Sequence, residues 1–113
     1  MDNKPVNQIN FEYNGKRYCL EYTPETVKQM EASGFNLNDL SEKPATRIEQ
    51  LWFGAFLANH RRGVSNTVIR ELYNQMKDKE KLLQALTEMY TNTLNYLLPD
   101  EENEGNVEWT ATL

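Results

Sequence analysis

The chain has 113 residues, which is enough for one domain with a single core. Its net charge of −5 opposes non-specific binding to nucleic acid or to anionic membranes, because both require basic protein surface. The single cysteine excludes an internal disulfide, and no apolar run approaches the roughly 20 residues of a membrane-spanning helix. The polar N-terminus shows no secretory signal. We therefore expect a cytoplasmic protein.

The first predicted element is a β-hairpin. Apolar and polar residues alternate from Ile9 to Tyr13 and again from Tyr18 to Tyr22. Asn14-Gly15 lies between these runs, and both residue types tolerate the positive φ of a type I′ turn. A two-residue loop pairs Tyr13 with Lys16 and places the large apolar groups of both strands on one face. Because an isolated hairpin is marginal in water, this face must rest on helices or gain a third strand.

Helical periodicity and capping residues predict a bundle of about four helices after the hairpin. Their predicted limits are Thr23 to Ser33, Pro44 to about Arg62, Ser65 to Lys77, and Asp78 to Pro99. Thr23 is a good N-cap for the first helix, and Gly34 followed by Phe35 predicts a Schellman-type end. The predicted fold is therefore α+β, mainly α, with an N-terminal β-hairpin packed on the helices.

The central helix carries the most informative stretch of the sequence. From Ile48 to Ala58 it is apolar on nearly every side, so its own domain or a partner must enclose it. Trp52, Phe53 and Phe56 cannot all face one direction, because neighbouring helical positions diverge by about 100°. Either the helix is central, or one side meets another protein. Gly54 indicates close approach by another helix, inside the domain or from a partner, or else a tolerated packing position.

The sequence changes character near its end. We expect a disordered N-terminus at residues 1–8, a single domain at 9–98, and an acidic hinge with a C-terminal strand at 99–113. The strand could add to the hairpin as a third strand or dock into a partner, where an aromatic anchor such as Trp109 would dominate binding. The Glu101-Glu102 pair is typical of an exposed acidic linker rather than a buried catalytic pair.

No set of residues predicts catalysis. Cys19 lacks a base nearby in the sequence, so an ordinary strand residue is the better interpretation. The only histidine, His60, has neither a second histidine nor a cysteine at ligand spacing. We interpret it as a helix-end residue that complements the helix dipole together with Arg61 and Arg62. We therefore expect no enzyme activity, no cofactor and no metal.

The whole pattern resembles a family of small phage and prophage proteins from Gram-positive hosts, described as tail assembly chaperones or as a domain of unknown function. The matching segments are FEYNGKRYCLEYT at 11–23, VKQMEASGF at 27–35, KPAT at 43–46, LWFGAF at 51–56, HRR at 60–62 and GNVEW at 105–109. They cover almost the entire chain in the same order of elements, and they consist of packing and turn residues without a catalytic signature.

The resemblance implies a non-enzymatic role in building a phage tail. Such chaperones are thought to coat the tape-measure protein, a long helical rod with exposed apolar stripes, before the tail tube polymerises around it. The contact candidates are Trp52, Phe53, Phe56 and Trp109, although no family motif assigns binding to them. Self-association is a further contact that the sequence leaves open, and no membrane partner is expected.

Two other classes of function remain open. One is a small adaptor or regulator from a mobile element that binds a host protein. The other is a helix-turn-helix DNA-binding protein that uses Ser65 to Lys77, although this segment has few cationic groups to meet phosphates.

Overall fold

The computed structural model describes residues 7–97 and 110–112, and it confirms the α+β, mainly α, fold class. The elements are β1 (Ile9–Tyr13), β2 (Lys16–Leu20), α1 (Pro24–Ala32), a 3₁₀ turn (Leu37–Asp39), α2 (Pro44–Gly54), α3 (Leu57–His60), α4 (Asn66–Gln75) and α5 (Lys79–Leu97). Most of the predicted disordered N-terminus, the acidic hinge and Trp109 fall outside the described residues. Residues 110–112 are exposed and have no regular secondary structure.

The hairpin has the predicted register. Tyr13 pairs with Lys16 and Phe11 pairs with Tyr18. Asn14 and Gly15 take φ values of 51° and 78°, the left-handed conformations that a type I′ turn requires. The ring centroids of Phe11 and Tyr18 lie 5.1 Å apart in a stacked arrangement. Within the described ranges the sheet consists of these two strands.

The predicted ends of α1 are confirmed. Thr23 is its N-cap and forms a capping box with Thr26. At the other end, the N–H of Phe35 donates to the carbonyl of Met30 at 2.9 Å, and Gly34 takes a φ of 96°. These are the features of the Schellman motif, so local sequence determines both ends of this helix.

The prediction of one continuous central helix from Pro44 to about Arg62 is wrong, because the structure has two helices there, α2 and α3. The carbonyl of Ala55 accepts a hydrogen bond of 3.1 Å from the backbone N–H of Glu21, at the end of β2. Ala55 and Phe56 link the two helices, and the N–H of Phe56 bonds to the carbonyl of Phe53 in a tighter turn. In the described ranges the break gives five α-helices where four are predicted, and α3 contacts β2.

The core lies between the hairpin and the helices, with α2 at its centre. Trp52 is 1% exposed, and its Nε1–H donates to the carbonyl of Ile69 in α4 at 2.7 Å. Tyr22 is also buried, and its hydroxyl donates to the carbonyl of Leu51 at 2.6 Å. Among the described residues, no helix combines the length and apolar character needed to cross a membrane.

Candidate functional site

A groove of about 370 Å³, here called the central groove, lies between α1, α2, α3 and α4. Its apolar lining residues are Met30, Phe35, Phe53, Phe56, Leu57, Val64 and Ile69. Polar side chains occupy other parts of its wall, and the guanidinium of Arg61 donates to the amide oxygen of Gln29 at 2.8 Å. Because Gln29 is on α1 and Arg61 follows α3, this hydrogen bond joins two walls of the groove. The site thus combines apolar surface with hydrogen-bonding groups, as protein binding grooves commonly do.

Gly54 lies in the wall of the central groove and explains how α1 and α2 approach each other. A Cβ built on Gly54 would lie 2.6 Å from the Cε and 3.0 Å from the Cγ of Met30. No side chain other than hydrogen therefore fits here unless Met30 moves. Of the two roles that the sequence allows for Gly54, the structure supports close approach, and the approaching helix is α1 of the same domain.

A second groove of about 410 Å³, here called the lateral groove, lies on the other side of Phe53. It is lined by Ala45, Ile48, Glu49, Trp52, Phe53, Arg70, Tyr73 and Asn74. The Arg70 guanidinium carbon lies 5.3 Å from the centroid of the Phe53 ring, and Arg70 also forms an ion pair of 3.4 Å with Glu49. Phe53 is half-buried and lines both grooves, so it forms the ridge between them.

The four predicted contact residues have different environments. Trp52 and Phe56 are each 1% exposed and stack edge to face with a centroid distance of 5.0 Å. Both therefore belong to the core, as expected for the first of the two alternatives that the sequence leaves open, a central helix. Phe53 keeps accessible surface on the ridge, and Trp109 lies outside the described residues. A partner contact through these residues stays a prediction. The three that the structure describes all line a groove, but Trp52 and Phe56 are buried and Phe53 is half-buried.

His60 has a role that the sequence did not indicate. Its Nε2 accepts a hydrogen bond of 3.0 Å from the backbone N–H of Cys19, and Asn59 donates to the Cys19 carbonyl at 3.1 Å. The α3 side chains therefore close the outer edge of β2. An imidazole nitrogen that accepts a hydrogen bond carries no proton, so the predicted cationic role of His60 at the helix end is wrong for this geometry.

Burial lowers the pKa of His60 below its usual value, and the nearby positive charge of Lys16 lowers it further. The Tyr18 ring lies 5.3 Å from the imidazole, centroid to centroid. Burial and the charge of Lys16 both favour the neutral imidazole, which is the form that can accept the hydrogen bond from the Cys19 N–H. The electrostatic environment and the hydrogen bond therefore favour the same protonation state.

Cys19 is brought close to His60 through its backbone amide. Burial raises the pKa of the Cys19 thiol, and the negative charge of Glu21 raises it further, so the thiolate is disfavoured. The residues lining the central groove include neither a carboxylate nor a thiol. Within residues 7–97 and 110–112, no cluster of three or more His, Cys, Asp or Glu side chains could hold a metal ion.

The α4 helix gives little support to DNA binding. Asn66–Gln75 follows the turn after α3 and begins with the predicted Ser65 cap, whose Oγ accepts from the Val68 N–H at 3.2 Å. Arg70 is the cationic residue within the helix, and it is engaged with Glu49 and the Phe53 ring.

The chain was compared with known protein families, curated proteins and solved structures. It matches a domain of unknown function, DUF5055, over residues 3–113. The chain belongs to the DUF5055 family. No curated protein and no solved structure matches it. The description of this family states no activity.

Proposed function

We propose that this DUF5055 protein acts by contact, as a tail assembly chaperone-like protein that binds and solubilises the tape-measure protein in the host cytoplasm. The observation that carries the proposal is the pair of grooves on either side of Phe53. A half-buried ridge between two partly apolar grooves suits an amphipathic helix, whose side chains at spacings of three and four residues can enter successive depressions.

The chemistry of the two grooves supports a protein ligand over a small reactive substrate. The walls offer aromatic and aliphatic surface with amide groups, such as Gln29 and Gln50 in the central groove and Asn74 in the lateral groove. Such groups can bond to polar residues at the margins of an apolar helix face. The net charge of −5 keeps the chaperone itself soluble while apolar surface is exposed.

The experiment is co-expression with a tape-measure protein, with the soluble fraction of that protein as the measurement. Phe53→Glu places a charge on the ridge and should abolish the rescue of solubility. Tyr96→Glu is the matched control, because Tyr96 is 84% exposed on α5 and lies outside both grooves. Thermal unfolding of both variants verifies that they are folded.

Equal rescue by folded Phe53→Glu and the Tyr96→Glu control would contradict binding through the grooves. Failure of the wild-type chain to rescue the tape-measure protein would contradict the proposed partner. A stoichiometric complex with a host protein would instead support the adaptor function, and salt-sensitive binding of duplex DNA would support the helix-turn-helix alternative.

A further inference from the structure

The two outer edges of the hairpin differ in a way that indicates a second binding surface. In a two-residue hairpin the pairs Tyr13–Lys16 and Phe11–Tyr18 exchange backbone hydrogen bonds, so the backbone groups of the intervening residues point outward. On β2, the outward groups of Cys19 bond to α3 side chains, and the N–H of Glu21 bonds to Ala55. That edge is therefore closed over much of its length.

Within the part of the chain that the structure describes, the edge of β1 is open. Asn10 and Glu12 are both exposed, and their outward N–H and carbonyl groups have no partner among the described residues. The apolar side chains of β1, Ile9, Phe11 and Tyr13, are only half-buried, whereas Tyr18 and Leu20 on β2 are buried. The α3 helix lies against β2. In the described structure, the β1 side of the sheet is thus apolar on its inner face and has hydrogen-bonding groups without a described partner along its edge.

We propose that β1 pairs with β1 of a second copy of this chain, in antiparallel orientation about a two-fold axis at Phe11. In this register Asn10 exchanges two hydrogen bonds with Glu12 of the second copy, and Glu12 does the same with the copy's Asn10. All outward groups of both residues are then used. The result is a continuous four-stranded sheet whose outer edges are the two β2 strands, each bonded to its own α3 at Cys19.

The choice of a second copy follows from the self-complementary pattern of β1. Pairing Glu12 with Glu12 would bring two carboxylates together, and pairing Asn10 with Asn10 would require Gln8, which lies outside the strand. The two-fold register avoids both problems. It also places Phe11 opposite Phe11 as a non-hydrogen-bonded pair, where side chains approach most closely. The Tyr18 ring, stacked on Phe11 at 5.1 Å, extends the aromatic row in each copy.

Substitutions at Asn10 test this register on the full chain by analytical ultracentrifugation over a concentration series. Asn10→Lys places an ammonium beside Glu12 of the second copy and should tighten dimerisation. Asn10→Glu places a carboxylate there and should weaken it. Because each change acts at two symmetry-related pairs, we expect shifts of about 2- to 30-fold in opposite directions. Asn10→Ser is the neutral control, and raised salt should reduce both shifts.

A backbone variant provides a second test. Asn10→Pro removes an outward N–H that β2 does not use, so the hairpin should persist while the dimer is lost. A chain that stays monomeric at millimolar concentration, or equal dimer affinity for Asn10→Lys and Asn10→Glu, would overturn the proposal. Protection from hydrogen exchange at Asn10 and Glu12 in a monomeric chain would also overturn it, because another segment of the same chain would then occupy the edge.

Discussion

The hydrogen bond between His60 and Cys19 predicts that the free energy of unfolding depends on pH through the titration of one residue, His60. His60 is the only histidine in the chain, and carboxylates titrate mainly below about pH 5. Stability changes between pH 5 and 7 can therefore be assigned to this imidazole. Its protonation removes the acceptor of the Cys19 N–H, now 3.0 Å from Nε2, and leaves a part-buried donor without a partner. A lost partner of this kind costs about 1–3 kcal/mol.

The sign follows from the lowered pKa of His60 in the folded state, caused by burial and by the charge of Lys16. As the pH falls through about 6.5, the unfolded chain takes up a proton before the folded chain does. The free energy of unfolding should therefore be highest above the unfolded pKa and should decline as the pH falls through the folded pKa. The steepest slope that one such group allows is about 1.4 kcal/mol per pH unit.

The assay is urea unfolding at a series of pH values from 7.5 to 5, together with an NMR titration of the imidazole. His60→Gln is the matched control, because an amide oxygen can accept the Cys19 N–H without titrating in this range. We expect the pH dependence to disappear in this variant. A folded-state His60 pKa at or above 6.5, or an unchanged slope in His60→Gln, would refute the reasoning.

Two further predictions concern the core. Gly54→Ala forces Met30 to move and should lower the free energy of unfolding by about 1–2 kcal/mol, within the usual range for overpacking. In a Met30→Ala background the same change should be neutral or stabilising. A double-mutant cycle from urea unfolding measures the difference between the two backgrounds. Tyr22→Phe removes the 2.6 Å bond to the Leu51 carbonyl and should cost about 0.5–1.5 kcal/mol in thermal or urea unfolding. An additive cycle at Gly54 and Met30 would mean that the close approach carries no strain, and an unchanged Tyr22→Phe stability would mean that the buried hydroxyl bond makes no net contribution.

Features that depend on neighbouring residues were predictable from the sequence. The hairpin register follows from alternation and from Asn14-Gly15, and the start of α1 follows from the Thr23 cap. The break between α2 and α3 was not predictable in this way. It depends on the Ala55 carbonyl bonding to Glu21, which lies 34 positions earlier in the sequence. Helical periodicity carries no signal of such a distant competitor for one carbonyl.

The candidate site also has features that the sequence indicates and features that only tertiary packing determines. The sequence singled out Trp52, Phe53 and Phe56 as surplus aromatic surface, but only the packing distinguishes the two core residues from the one on the ridge. The function of Asn59 and His60 in closing the β2 edge was missed, because a polar pair near a helix end usually indicates solvent exposure.

During synthesis, the edge of β2 can be closed only after the α3 residues that bond to it have been made. The hairpin leaves the ribosome before α3, because Asn59 and His60 follow Cys19 by about 40 positions. At typical translation speeds that delay is roughly 2–8 s. Throughout this interval the nascent hairpin exposes both of its edges, so these seconds are when a newly made chain is most vulnerable to pairing with the wrong neighbour.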